Sequence, residues 1–204
     1  MSNQMHMTAS EFLGYIDKAV AAAINISPDK PCCSKGCHHC CDEPLYVDRR
    51  EMENMLEGYP EEKLEGLKQR LEVWLEKAAP MLELEPQPTT GLLDAFAWRD
   101  MKVTCPFLEG GLCSVYERRP MGCRTFLAIG NPDNCAMPMR KKQLIAEHDW
   151  SWPGWKVLME AWIGSTDLLT MDHLGVFLAK RLLNRDVKSS VTINQPIEVI
   201  HEEQ

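Results

Sequence analysis

The sequence predicts a mainly α fold, with helices packed around irregular cysteine-rich loops. Three observations predict it. Apolar residues recur at helical spacing in several separate stretches. Capping residues, prolines and glycines stand at the ends of those stretches. The cysteines fall outside them, in turn-rich sequence, and no alternating strand–helix series is visible.

The first expected helix covers Thr8 to Ile24. Phe12, Leu13, Ile16, Val20 and Ile24 supply its apolar face, and Thr8 with Glu11 fits a capping box, in which each side chain covers the other residue's free backbone donor. The helix should stop before Ser27-Pro28, because the residue before a proline avoids helical angles. Pro28 to Asp42 reads as a cysteine-dominated loop and Leu45-Tyr46-Val47 as a short extended piece. Asp48 with Glu51 is a second capping box, opening a helix that closes at Gly58. Pro60 sits where a first-turn proline is tolerated. From Glu61 to Ala79, the residues Leu64, Leu67, Leu71, Trp74, Leu75 and Ala78 form one apolar stripe, opposite Glu65, Lys68, Glu72 and Glu76. Pro80 to Gly91 reads as a surface connection. Leu92–Arg99, Arg140–His148, Trp155–Trp162 and His173–Leu183 read as further helices, and Val103–Arg124 as turns around Gly110-Gly111.

A chain of 204 residues suits one domain, taken as residues 1–187, with a polar and partly ordered tail over 188–204. Its hydrophobic content of 45% and charged content of 25% match a soluble globular protein. A chain of this size buries a core without staples. The nine cysteines are therefore not needed to hold a tiny scaffold together. The formal charge of -8 argues against a nucleic-acid partner, since such binders present basic patches. It argues equally against an anionic membrane surface. No run reaches the roughly 18 apolar residues that span a bilayer, and Met1–His6 lacks the basic start and apolar stretch of a signal peptide. The expected location is the cytosol, and the expected partner is an unidentified protein or small molecule.

Thiols stay reduced in the cytosol, so clustered cysteines there point to metal binding or catalysis rather than disulfides. One group is Cys32, Cys33, Cys37, Cys40 and Cys41; the other is Cys105, Cys113, Cys123 and Cys135. Thiolates are soft, strongly donating ligands for zinc, iron and iron–sulfur clusters. Cys37-x-x-Cys40 lets one tight loop wrap an ion, and Gly36 supplies the backbone freedom for it. In an extended backbone Cys40 and Cys41 would point to opposite sides, which suggests two metal sites sharing the loop or one bridging thiolate. Four thiolates around a divalent ion leave net negative charge, for which Lys35, Arg118, Arg119 and Arg124 are the nearby cations.

The run Cys33-x3-Cys37-x2-Cys40-Cys41, then Cys105-Pro106-Phe107-Leu108, then Leu112-Cys113-Ser114-Val115-Tyr116-Glu117-x-Arg119-Pro120-x2-Cys123-Arg124, resembles the YkgJ-like cysteine-cluster family, a zinc- or iron-chelating domain. The resemblance covers roughly residues 30–136. It implies eight metal-binding positions: Cys33, Cys37, Cys40, Cys41, Cys105, Cys113, Cys123 and Cys135. The chain departs from some members in having three residues between the first two cysteines, and in carrying the extra Cys32 beside Cys33.

Other residues carry weaker signals. Cys33-x3-Cys37-x2-Cys40 also has the radical-SAM spacing, but the strand–helix series of that enzyme's barrel is missing. His38 and His39 read as exposed loop residues, and His148 and His173 as ordinary surface or core residues. Tyr116, Glu117, Arg119 and Arg124 read first as locks on the loop that contact sulfur or its neighbours, and second as residues that position a substrate. Trp150, Trp152 and Trp155 read as loop packing. No Gly-rich phosphate loop, nucleophile elbow or metalloprotease helix appears, so the sequence names no reaction. It leaves three classes open, with a metal-binding module first, then an iron–sulfur redox protein and a metalloenzyme.

Overall fold

The fold is known from a computed structural model, which describes residues 7–26, 30–83, 98, 100–128, 162, 170–187 and 193–194. Helix α1 (Ala9–Ile26) opens at the expected capping box. The Thr8 N–H donates to Glu11 Oε2 at 2.8 Å, and the Glu11 N–H to Thr8 Oγ1 at 3.2 Å. The second box opens α2 (Arg49–Leu56) and is buried. There the Glu51 N–H donates to Asp48 Oδ1 at 2.9 Å and the Asp48 N–H to Glu51 Oε2 at 3.2 Å.

Helix α3 (Glu61–Leu82) buries the predicted stripe through Leu67, Leu71, Trp74 and Ala78. It also runs through Pro80, which corrects the expectation that a surface connection begins there. Proline removes one backbone hydrogen bond, and it does so within the last turn. Met81 and Leu82, only 4% and 2% exposed, anchor that turn in the core.

Two small antiparallel sheets complete the frame. Strands β1 (Tyr46–Asp48), β4 (Thr170–His173) and β5 (Ile193–Asn194) form one sheet in the order β1-β4-β5, with Tyr46 opposite His173 and Val47 opposite Asp172. His173 thus ends a strand, and helix α5 (Leu174–Leu183) begins one residue later than predicted. Strands β2 (Leu108–Glu109) and β3 (Leu112–Cys113) form a hairpin. Its two-residue turn needs positive φ at both positions, and Gly110 and Gly111 supply it at 57° and 80°.

The main core lies between α2, α3, α5 and β1, and takes in Trp98, Val103, Phe107 and Val115. A second apolar cluster joins Phe12, Leu13 and Ile16 of α1 to Trp162, whose ring stacks on Phe12 at 4.3 Å. Apart from Trp98 and Trp162, the expected helices Leu92–Arg99, Arg140–His148 and Trp155–Trp162 lie outside the described residues, as does the cluster of Trp150, Trp152 and Trp155. Among the described residues no helix is long and apolar enough to cross a membrane.

The contact of α3 with α5 is tight at one point, since a Cβ on Gly175 would stand 2.4 Å from ring carbons of Trp74. Gly175→Ala should therefore destabilise the fold by about 1–3 kcal/mol through overpacking. Gly14→Ala, in α1 with nothing within 4 Å of the added carbon, should stabilise it by about 0.5–1 kcal/mol. Urea denaturation of both variants checks the pair, and a neutral Gly175→Ala would contradict the packing described.

Candidate metal centre

The first cysteine group is shaped by tight turns. The Cys37 N–H bonds back to Ser34 O at 3.0 Å, and a 3-10 turn covers His39–Asp42. The described members of the second group sit on three different pieces of backbone. Cys105 precedes the hairpin, Cys113 lies in β3, and Cys123 lies in the short helix α4 (Met121–Thr125).

Folding brings the groups together. The Cys105 N–H donates to Cys41 O at 2.8 Å, and Thr104 Oγ1 donates to Asp42 Oδ1 at 2.6 Å. Arg70 Nε on α3 holds Pro106 O at 2.7 Å, fixing the Cys105-Pro106 step to the scaffold. The Ser114 N–H and Oγ both donate to Phe107 O at 2.9 Å. As a result Cys37, Cys40, Cys41, Cys105, Cys113 and Cys123 line one cavity of about 60 Å³. No disulfide joins the eight described cysteines. Among the described residues, no three His, Cys, Asp or Glu side chains already stand as a group able to hold a metal ion. The sulfurs ring the cavity as separate thiols.

The expectation that Cys40 and Cys41 point apart is corrected. It assumed an extended backbone, whereas both residues lie in the 3-10 turn. Their thiols hydrogen-bond to each other, and both line the same cavity.

Enclosure sets the electrostatics. Burial pushes the Cys105 thiol up to about 12, against a lowering hydrogen bond from the Phe107 N–H. Cys123 is pushed well above the ordinary thiol value by burial and by Cys105, Cys40 and Cys113, with Arg119 opposing. Cys113 is raised by burial, while the Val115 N–H and Arg119 pull it down. Cys41 is raised first by its bond to Cys40 and then by burial. Cys105 and Cys123 keep some accessible surface because they face the cavity, yet dense packing around them makes burial the largest push.

Cys33 stands at the edge, exposed and off the cavity lining, with Cys32, Cys37 and Cys40 near enough to raise its thiol further after burial. Its sulfur accepts the Ala128 N–H at 3.3 Å. Cys32 does the reverse, its sulfur donating to Ala128 O at 3.2 Å. A carbonyl only accepts, so Cys32 is the donor in its contact with Ala128, whereas Cys33 is the acceptor in its own. Cys135 lies outside the described residues.

The remaining candidates sort by position. Lys35 and Arg119 line the cavity, together with Glu43 and Tyr116. Arg119 lies over the Tyr116 ring at 3.6 Å, and its Nε donates to Tyr116 O at 2.8 Å. Arg124 is buried and turned away, pairing with Asp17 of α1 and donating to Arg119 O and Glu117 O at 2.6 Å each. Glu117 and Arg118 are exposed. His38 and His39 stack on each other at 5.6 Å, and neither lines the cavity. His173 is buried against Trp98 and Tyr46. Sequence reasoning missed the supports Arg70, Asp42 and Glu51. Arg70 shows only as a polar position on a helix, and Asp42 only as an acid after Cys41. Glu51 was visible as a cap, but its second contact, with the Met121 N–H at 2.7 Å, crosses between distant segments.

The donor chemistry fits zinc or iron. Soft sulfurs face one another, three of the eight described cysteines accept backbone N–H bonds, and two cations line the same space. No curated protein and no solved structure matches the chain. A family model, CxxCxxCC, described as "Putative zinc- or iron-chelating domain", matches residues 32–150. That match spans both cysteine groups and more than half of the chain, and the protein belongs to the CxxCxxCC family.

Proposed function

We propose that the protein binds zinc or iron through thiolates from both cysteine groups, so that the metal clasps the loop around Cys37–Cys41 to the segment from Cys105 to Cys123. The observation that carries this reading is the convergence of six sulfurs on one cavity. The ligand set is Cys33, Cys37, Cys40, Cys41, Cys105, Cys113, Cys123 and Cys135, with Cys32 outside it. Eight thiolates fill two four-ligand sites, or a pair of sites sharing a bridge.

When bound, the metal supplies a cationic centre that makes the thiolate form of buried cysteines favourable. The chain's own residues do the rest. Lys35 and Arg119 offset the negative charge of the thiolates. The N–H groups of Ala128, Phe107 and Val115 hydrogen-bond to sulfur, which orients ligands and tunes them. Arg70 and Ser114 hold the hairpin that presents Cys105 and Cys113. In this reading the centre is structural, and it shapes a surface for an unidentified protein or small molecule.

The N–H bonds to sulfur also favour a second reading, an iron–sulfur cluster serving electron transfer, because such bonds and burial set a cluster's potential. Purification without oxygen, followed by a visible spectrum and assays of zinc, iron and acid-labile sulfide, separates the two. Colourless protein with zinc supports the structural module, and brown protein with sulfide supports the redox reading. Protein carrying neither metal overturns both.

Two predictions follow from the clasp. A structural zinc site is worth about 10–16 kcal/mol in small domains, comparable to the roughly 5–15 kcal/mol of a whole fold. Complete chelation should thus unfold at least the cysteine-bearing half, seen as a large loss of melting temperature, and an unchanged melting curve would contradict the clasp. Cys33→Ser should weaken metal binding by at least about tenfold, the usual loss when even a ligand's supporting contact is removed. Cys32→Ser should leave affinity nearly unchanged. Competition with a chromophoric chelator measures both; equal losses would remove the preference for Cys33, and a larger loss for Cys32→Ser would reverse it.

A further inference from the structure

Glu51 links two helix starts through one carboxylate. The residue is 4% exposed. Its Oε2 accepts the Asp48 N–H at 3.2 Å, inside the capping box of α2. Its Oε1 accepts the Met121 N–H at 2.7 Å. Met121 opens α4, which carries Cys123 two residues further on. The N–H groups of Cys123 and Arg124 both bond back to Pro120 O, at 3.0 and 3.2 Å. The whole turn therefore follows wherever the Pro120-Met121 step is held, and Glu51 holds it.

An ionised carboxylate accepts through both oxygens, whereas a protonated one turns an oxygen into a donor. A protonated oxygen is a weaker acceptor than an ionised one, so protonation weakens at least one of the two contacts. The charged groups facing Glu51 are Asp48 and Arg50. Asp48 takes the Glu51 N–H on Oδ1 and Arg50 on Oδ2, the latter at 3.1 Å. Arg50 also bonds Trp162 O. From α4 comes the Met121 N–H alone, since Arg124 is turned to Asp17 and to loop carbonyls.

We infer that Glu51 is a positioning residue for Cys123: its ionised carboxylate keeps Met121, and with it the Cys123 sulfur, in place at the metal cavity, and a proton on that carboxylate loosens the site. This rests on the metal reading above. The titration lies in a useful range, because burial pushes Glu51 up to about 7, with the Met121 N–H opposing and Asp48 reinforcing. The sign is opposed between fold and site. A raised carboxylate value means the folded chain binds the proton more tightly than the unfolded one, so this group's contribution to stability falls as pH rises from the ordinary carboxylate range to about 7. The site, by contrast, gains an acceptor over the same range.

Glu51→Gln fixes the side chain as a near-isosteric single acceptor at every pH. Zinc affinities of the wild type and Glu51→Gln, measured by chelator competition from about pH 6 to pH 8, give a ratio from which the common effect of thiol protonation cancels. The ratio should be near one at the acid end and reach about tenfold or more at the alkaline end, the size of one hydrogen bond to a charged group. A ratio that does not change with pH would overturn the inference, since a merely structural role would give that result. A second arm uses the protein as purified and iodoacetamide, comparing alkylation of Cys123 with that of Cys113 by peptide mass spectrometry. Relative labelling of Cys123 should be severalfold faster in Glu51→Gln at pH 8 and equal to wild type at pH 6. Equal labelling at both values would sink the role of Glu51. Absence of both zinc and iron binding in the wild type would instead sink the metal reading and leave the labelling arm to decide on Glu51.

Discussion

Enclosed sulfur governs the arrangement of this protein. Six thiols face one cavity of about 60 Å³, and low polarity around them favours the protonated form, as the upward push on Cys105 and Cys123 records. Working against that push are backbone N–H groups aimed at sulfur and the guanidinium of Arg119. Apolar walls and local donors thus pull the same atoms in opposite directions. A cation at the centre would settle the conflict in favour of thiolate.

Loops that carry such a site need support that does not depend on an ion. The backbone bond from Cys105 to Cys41 joins the two groups directly. Arg70 reaches from α3, Arg124 reaches to α1, and Glu51 reaches from α2. Each brace comes from a different helix, so the scaffold fixes the cavity from several sides. Behind Cys105 the core is aromatic. The His173 ring stacks on Trp98 at 4.6 Å and 8°, and burial lowers its value to about 3, leaving the imidazole neutral as a packing group. Its ring nitrogens have no hydrogen-bond partner among the described residues.

Much of this was legible in the sequence, and the reasons are local. Both capping boxes were visible because three-residue spacing is a covalent fact. The face of α3 was visible because Leu67, Leu71, Trp74 and Ala78 repeat at helical period. The cysteine groups announced soft-metal chemistry through composition and spacing. What stayed hidden was non-local. Strand β4 is four residues long, too short for alternation to register, and it exists because β1 and β5 pair with it. Helix α3 passes Pro80 because Met81 and Leu82 find a core, which proline rules alone do not foresee. Cys40 and Cys41 share a side because their backbone is a 3-10 turn, closed by the Cys41 N–H on His38 O at 2.9 Å. The different hydrogen bonds of Cys32 and Cys33 turn on which atom of Ala128, in a remote segment, meets each sulfur.

The central claim is that sulfur from both groups binds a common metal centre. X-ray absorption at the zinc or iron edge of the metal-loaded full chain tests it most directly, because the ligand atoms are read without mutation. The account predicts sulfur ligands alone, at about 2.3 Å for zinc, and fewer of them per metal ion, or less bound metal, when Cys105 and Cys113 are both replaced by serine. A shell of oxygen and nitrogen, or a sulfur shell unaffected by that double replacement, would contradict it.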